Sequence, residues 1–260
     1  MMSLKDKKIL IIVGGGISAY KALDLIRLLK KNNVDVKTIL TKSAKEFVTP
    51  LSITTLTKNK TYEDIFDRNS EAEIDHIALS RWADLIIVLP TTANFMTKLS
   101  IGRAEDLATT VLLASNKDIL LVPAMNVRMW FHKATQRNLK ILQDYGYHFI
   151  GPEKGEMACG EYGEGKMSSP RQIYFYLKNY FDQRNLNILQ DYGYHFIGPE
   201  KGEMACGEYG EGKMSSPRQI YSYLKSYFNQ KDLFKKKKFR ALVTAGPTRE
   251  YLDPVRYISN

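Results

Sequence analysis

Residues 9–21 read Ile9-Leu10-Ile11-Ile12-Val13-Gly14-Gly15-Gly16-Ile17-Ser18-Ala19-Tyr20-Lys21. Five consecutive apolar residues suit a strand covered on both faces, because a half-exposed strand would alternate with polar ones. The three glycines let the backbone turn sharply and leave its amides open to a ligand at the start of the next helix. From Ser18 to Lys31, Ala19, Ala22, Leu23, Ile26 and Leu29 recur at helical spacing. Strand, glycine turn and helix in that order begin an α/β sheet.

The alternation continues outward. Val34–Leu40 reads as a second strand ending at Thr41-Lys42-Ser43, and Pro50-Leu51-Ser52 opens a helix. Leu85–Leu89 is a buried-type strand closed by Pro90-Thr91-Thr92-Ala93-Asn94; a helix is predicted around Glu105–Ala114. Ile119–Val122 is another strand, closed by Pro123-Ala124-Met125-Asn126. Leu139–Asp144 reads as helix, Tyr147–Ile150 as strand and Gly151–Lys166 as a glycine-rich loop. Ser168-Ser169-Pro170 starts a helix expected to run from Arg171 to about Gln183, since proline is favoured at the first helical position. The expected fold is α/β: a doubly wound, mostly parallel Rossmann-like (flavodoxin-type) sheet with helices on both faces. Ligands of such sheets sit beyond the carboxyl ends of the strands, where the polar and glycine-rich endings fall here.

Residues 137–183 recur as residues 184–230 with four differences: Lys140/Asn187, Phe175/Ser222, Asn179/Ser226 and Asp182/Asn229. Two near-identical units are too few for a solenoid and point to a duplication inside one domain. Both cysteines, Cys159 and Cys206, are the same position written twice. One sheet edge offers one slot for Tyr147–Ile150 or its copy Tyr194–Ile197, and the shorter connection favours the first copy. Looping out the first would cost a few kcal/mol of closure entropy.

The chain of 260 residues carries 38 basic and 28 acidic side chains, a formal charge of +10. Each repeat copy is neutral, and the densest cluster, Lys235–Lys238, has no aromatic interleaving, so it reads as a solvated linker and not a nucleic-acid patch. No run of eighteen apolar residues predicts a membrane span, and Met1–Lys8 is too polar for a signal peptide. A cytoplasmic protein with reduced thiols is expected.

Gly14-Gly15-Gly16-Ile17-Ser18-Ala19 fits the loose pattern G-x-G-x-x-A, which is also satisfied by a structural turn. A dinucleotide site wants an acidic residue after the second strand, whereas Thr41-Lys42-Ser43 suits a phosphate; a mononucleotide is preferred. His76 stands between Asp75 and Ile77, and taken alone suits packing or surface as well as base catalysis. Asn94 and Asn126 could each stabilise a turn, but two such endings in one sheet mark a polar site. Cys159 sits in a glycine-rich loop, unlike an inert core cysteine.

Together these residues resemble the phosphopantothenoylcysteine decarboxylase family of flavoproteins, and more closely the front of the bifunctional form that joins this decarboxylase to a ligase. The resemblance rests on six segments in order: Gly15–Lys21, the His76 segment, Pro90–Phe95, Gly102–Leu107, Pro123–Asn126 and Ala158–Gly165. It covers residues 7–183, with 184–230 as a second copy and 239–260, after the linker 231–238, similar to the opening of the ligase half. Twenty-two residues cannot build a ligase core, so ligase activity is expected to be absent.

The resemblance implies FMN as cofactor, its phosphate near Gly15, Ser18 and Ser43 and its ring near Thr91, Ala93 and Asn94, with Asp106 close by. It implies a homotrimer acting on the small molecule 4'-phosphopantothenoylcysteine, with no metal, nucleic acid or membrane partner. His76 then matches the base, Asn126 the carboxylate-binding residue, and Cys159, or Cys206 in its place, the proton donor. Met125, Ala158 and Gly160 would complete the substrate site. Oxidation of the substrate thiol to a thioaldehyde supplies the electron sink that carbon dioxide loss requires. A flavin-binding subunit without turnover and a peptidyl-cysteine decarboxylase are the alternatives.

Overall fold

Strand Lys8–Val13 (β1) passes through the glycine turn and the 3₁₀ turn Ile17–Ala19 into helix Tyr20–Lys31 (α1). The computed structural model describes residues 4–64, 75–191, 195–198, 200–203, 209–213, 215–230, 250–251 and 257–258. Next come strand Asp35–Leu40 (β2), helix Pro50–Thr57 (α2) and the short strand Thr61–Tyr62 (β3). Helix Asp75–Trp82 (α3) precedes strand Leu85–Thr91 (β4), which is followed by helices Ala93–Ser100 (α4) and Leu107–Leu113 (α5). Strand Ile119–Pro123 (β5) leads to helices Val127–Phe131 (α6) and Lys133–Asp144 (α7) and to strand His148–Phe149 (β6).

These six strands form one parallel sheet in the order 3-2-1-4-5-6. Successive residues of β1 point to opposite faces, and both faces are covered. Ile9, Ile11 and Val13 pack with Leu25, Ile26 and Leu29 of α1. Leu10 and Ile12 pack with Leu79 of α3, Met96 of α4 and Val111 of α5. Every residue of β4 is buried, as a continuous apolar run should be in a two-sided sheet. The order reverses direction between β1 and β4, so the crevice beyond their carboxyl ends is the natural ligand site.

The expected loop 151–166 is instead a hairpin of strands Glu153–Glu156 (β7) and Tyr162–Lys166 (β8). Glycine-rich, polar sequence hides it, because neither strand alternates with apolar residues. Helix Pro170–Asp191 (α8) also runs beyond the expected end near Gln183. The first glycine after Pro170 is Gly193, so nothing in the sequence breaks the helix at the seam between the copies. Arg184 ties the seam down: it donates to the backbone oxygen of Asp84 (3.5 Å) and the Tyr180 hydroxyl (3.3 Å) and lies 3.6 Å from Asp118. Tyr180 in turn donates to Asp118.

The edge slot beside β5 holds His148–Phe149 of the first copy, whereas the described residues 195–198 of the second form no strand. The chain divides into two compact units, Met1–Ile188 and Leu189–Asn260. Within the second, strands Glu200–Glu203 (β9) and Tyr209–Lys213 (β10) pair antiparallel, and helix Pro217–Gln230 (α9) follows. The copies repeat each other's local geometry. Gly151 (φ +78°) and Gly198 (φ +81°) each lie against the equivalent serine, Ser168 or Ser215. Strands Glu250–Tyr251 (β11) and Tyr257–Ile258 (β12) pair antiparallel. The run Lys235–Lys238, Cys206 and the rest of 239–260 lie outside the described residues. No described helix is long and apolar enough to cross a membrane.

Candidate active site

Two glycines fix the floor of the crevice. A Cβ on Gly14 would lie 2.2 Å from the Pro90 carbonyl oxygen, and one on Gly15 would lie 2.3 Å from Ser43 Oγ. The ends of β1, β2 and β4 therefore meet at a spacing that only hydrogen side chains permit. The same turn opens toward Ser18 at the start of the 3₁₀ turn, where backbone amides of a helix entrance face outward. Ser43 and Ser18 hydroxyls beside a glycine turn at a helix start are a donor set suited to a phosphate, so the residues fit the phosphate end of a flavin nucleotide.

Beside this floor lies a cavity of about 520 Å³. Its walls are the segment 16–21, the loop 124–126 and the hairpin face carrying Met157, Ala158 and Cys159. The hairpin is seated by glycine contacts. Gly163 packs on Val127, and the Gly165 oxygen accepts from the Met125 amide at 3.0 Å. At Gly165 (φ +146°) a Cβ would lie 2.2 Å from the Met125 oxygen, so a larger residue would lift the hairpin off the loop.

Asn126 caps α6: its side-chain oxygen accepts from the Met129 amide at 2.8 Å. That contact fixes the amide orientation and leaves the Nδ2 donors without a described acceptor. Cys159 is exposed at the hairpin turn, its thiol 3.9 Å from the Glu161 carboxylate. Gly160 (φ +80°) forms the turn beside it.

The structure gathers Ser18, Met125, Asn126, Ala158 and Cys159 at one cavity; Gly15 and Ser43 lie against each other at the glycine turn and are not among the described residues lining it. Other sequence candidates stand elsewhere. Thr91 is fully buried: its hydroxyl donates to the Val88 oxygen and accepts from the Val122 amide, and its carbonyl oxygen accepts from the Ala124 amide at 3.1 Å. Ala93 and Asn94 open α4 under the Thr92 cap. Asp106 caps α5 in a reciprocal pair with Thr109 and lies 3.6 Å from Lys98. His76 occupies the first turn of α3, partly exposed, and is not among the described residues lining the cavity.

Among the lining residues that the sequence did not single out are Lys21 and Lys166. Lys21 lies three residues beyond Ser18, hence on the same side of the helix entrance, a signal legible in hindsight. Its ammonium donates to the Met167 backbone oxygen at 3.2 Å. Burial, and then the nearby Lys166 charge, hold it below the usual lysine range, with Glu153 partly offsetting them. Lys166 had no sequence signal beyond closing the glycine-rich segment.

A flavoprotein family model matches residues 2–182, and one described as the DNA/pantothenate metabolism flavoprotein C-terminal domain matches 236–260. The chain is 38% identical over 262 residues to the coenzyme A biosynthesis bifunctional protein CoaBC of Haemophilus influenzae, covering 100% of this chain and 52% of that protein. It thus spans about half the length of the curated relatives it matches. Among solved structures, a cysteine-to-serine mutant of PPC decarboxylase complexed with pantothenoylaminoethenethiol superposes with a TM-score of 0.62 at 28% identity, covering 68% of this chain and 100% of that one. The FMN binding protein AtHal3 gives 0.60 at 29% identity, covering 69% and 98%.

Proposed function

The chain belongs to the flavoprotein family, and from that premise we propose that it is an FMN-dependent decarboxylase converting 4'-phosphopantothenoylcysteine to 4'-phosphopantetheine in coenzyme A biosynthesis. One observation carries the reading: a cavity beside a phosphate-type glycine turn brings an amide donor and a thiol-bearing hairpin together. Similarity to the CoaBC proteins and to PPC decarboxylase supports the substrate, and similarity to an FMN binding protein supports the cofactor.

Gly15, Ser18 and Ser43 would hold the phosphate of the flavin. When bound, that group supplies the two-electron oxidation and reduction of the substrate. Asn126 donates its free amide hydrogens to the substrate carboxylate without adding a full charge, so the carboxylate is oriented yet free to leave as carbon dioxide. Cys159 supplies the proton that the remaining enethiol carbon takes up. Its hairpin covers the cavity against water. His76 serves as the base from a neighbouring subunit of a homotrimer, which accounts for its place outside the cavity of its own chain.

Purified protein should be yellow and should release carbon dioxide from 4'-phosphopantothenoylcysteine, with the product identified by mass. A folded, colourless protein, or a yellow one that acts only on peptides ending in cysteine, would refute the reading.

A further inference from the structure

We propose that Lys21 and Lys166 form the subsite for the phosphate of the substrate, making the cavity selective for a phosphorylated molecule over its dephosphorylated form. The inference rests on the decarboxylase reading above and adds to it the residues that choose the substrate.

Both lysines line the cavity, one from the first turn of α1 and one from the end of β8. Each is held in place. Lys21 is pinned by the Met167 oxygen at 3.2 Å, and the Lys166 stem lies across Gly155, where a Cβ would come within 2.8 Å of Lys166 Cδ. Neither ammonium forms an ion pair with a described carboxylate. Glu153 pairs with Lys166 across the hairpin ladder, and Glu156 lines the cavity three residues further along, toward the Cys159 turn. Two adjacent ammonium groups with no described carboxylate in ion-pair contact leave charged donors for an anion, and a phosphomonoester dianion supplies one.

Chemistry assigns the anion. A carboxylate that must leave as carbon dioxide is poorly served by two full cations, which would stabilise its charged ground state. Asn126, an uncharged donor, suits that group. The cation pair therefore suits an anion that persists through the reaction.

The test compares 4'-phosphopantothenoylcysteine with pantothenoylcysteine on the flavin-loaded wild type, Lys21→Gln, Lys166→Gln and Lys21→Arg. Losing one charge-assisted contact should lower the kcat/KM ratio of phosphorylated to unphosphorylated substrate at least about tenfold, chiefly through KM, with Lys21→Arg recovering part of it. Equal losses on both substrates would mean that the lysines act on the reacting carboxylate or only on the fold, and would overturn the assignment. So would a fall in flavin absorbance per chain, which would make the flavin phosphate their ligand. Independently of turnover, inorganic phosphate should raise the melting temperature of the wild type more than that of either glutamine variant. Equal rises would overturn the subsite even if the protein decarboxylates nothing.

Discussion

Replacing Gly15 by alanine adds one methyl group at the tightest point of the crevice floor. That carbon would lie 2.3 Å from Ser43 Oγ, 2.5 Å from Ser43 Cβ and 2.9 Å from the Ser43 carbonyl carbon. Ordinary contacts are about 3.5–4.0 Å, so the turn and the end of β2 must separate by roughly an ångström. Overpacking of this kind costs about 1–3 kcal/mol, a melting-temperature loss of a few degrees in a domain this size. The displaced atoms are those assigned to the flavin phosphate, so cofactor content should fall with stability. Ser43→Gly in the same chain removes Oγ and Cβ but not the backbone carbon, and should restore part of the melting temperature. Gly14→Ala meets a backbone oxygen of Pro90 at 2.2 Å, and no side-chain truncation can relieve it. Thermal unfolding and flavin absorbance of Gly15→Ala and Gly14→Ala, each with and without Ser43→Gly, decide the matter. An unchanged melting temperature in Gly15→Ala, or full rescue of Gly14→Ala by Ser43→Gly, would refute the steric argument.

Asn126→Asp keeps an oxygen to cap α6 but replaces the free donors with a negative charge; turnover should drop by two orders of magnitude or more while stability stays within about 0.5 kcal/mol of wild type. Asn126→Ala should instead lose about 1 kcal/mol as well, measured by denaturant unfolding. Burial and the hydrogen bond to Asp118 raise the Tyr180 hydroxyl above the ordinary 10.0. The folded state then keeps a proton that the unfolded chain releases, so this stabilisation is whole below pH 10 and is lost as pH rises toward the folded value. Tyr180→Phe should therefore be less stable than wild type at neutral pH, with the gap closing in alkali, as followed by melting temperature against pH.

The sheet was legible because its strands are buried on both faces. Ile9–Val13 and Leu85–Leu89 are continuous apolar runs whose periodicity admits no half-exposed strand, and both lie wholly inside. Of the polar endings, Asn126 lines the cavity, whereas Asn94 opens α4 and Ser43 stands against the glycine turn. The hairpin was not legible, because its strands are held by what glycine allows: Gly155 under Lys166 and Gly163 on Val127. Such contacts leave no periodic trace. The resemblance put Thr91 near the flavin ring; its hydroxyl pairs with the backbone of Val88 and Val122, which no local pattern announces. His76 could not be placed from spacing, since its relation to the cavity depends on how whole elements pack.

The junction of the two copies falls between Gln183 and Arg184, inside the unbroken helix Pro170–Asp191. Excision of 184–230 would join Gln183 to Lys231, one cation replacing another where Arg184 lies 3.6 Å from Asp118. Contacts of that exposed kind are worth about 0–1 kcal/mol, so the shortened chain should melt close to the full one. A cassette joined at this point can thus be added or removed with little disturbance at the splice itself, and its worth to the chain turns on what the spare segment does.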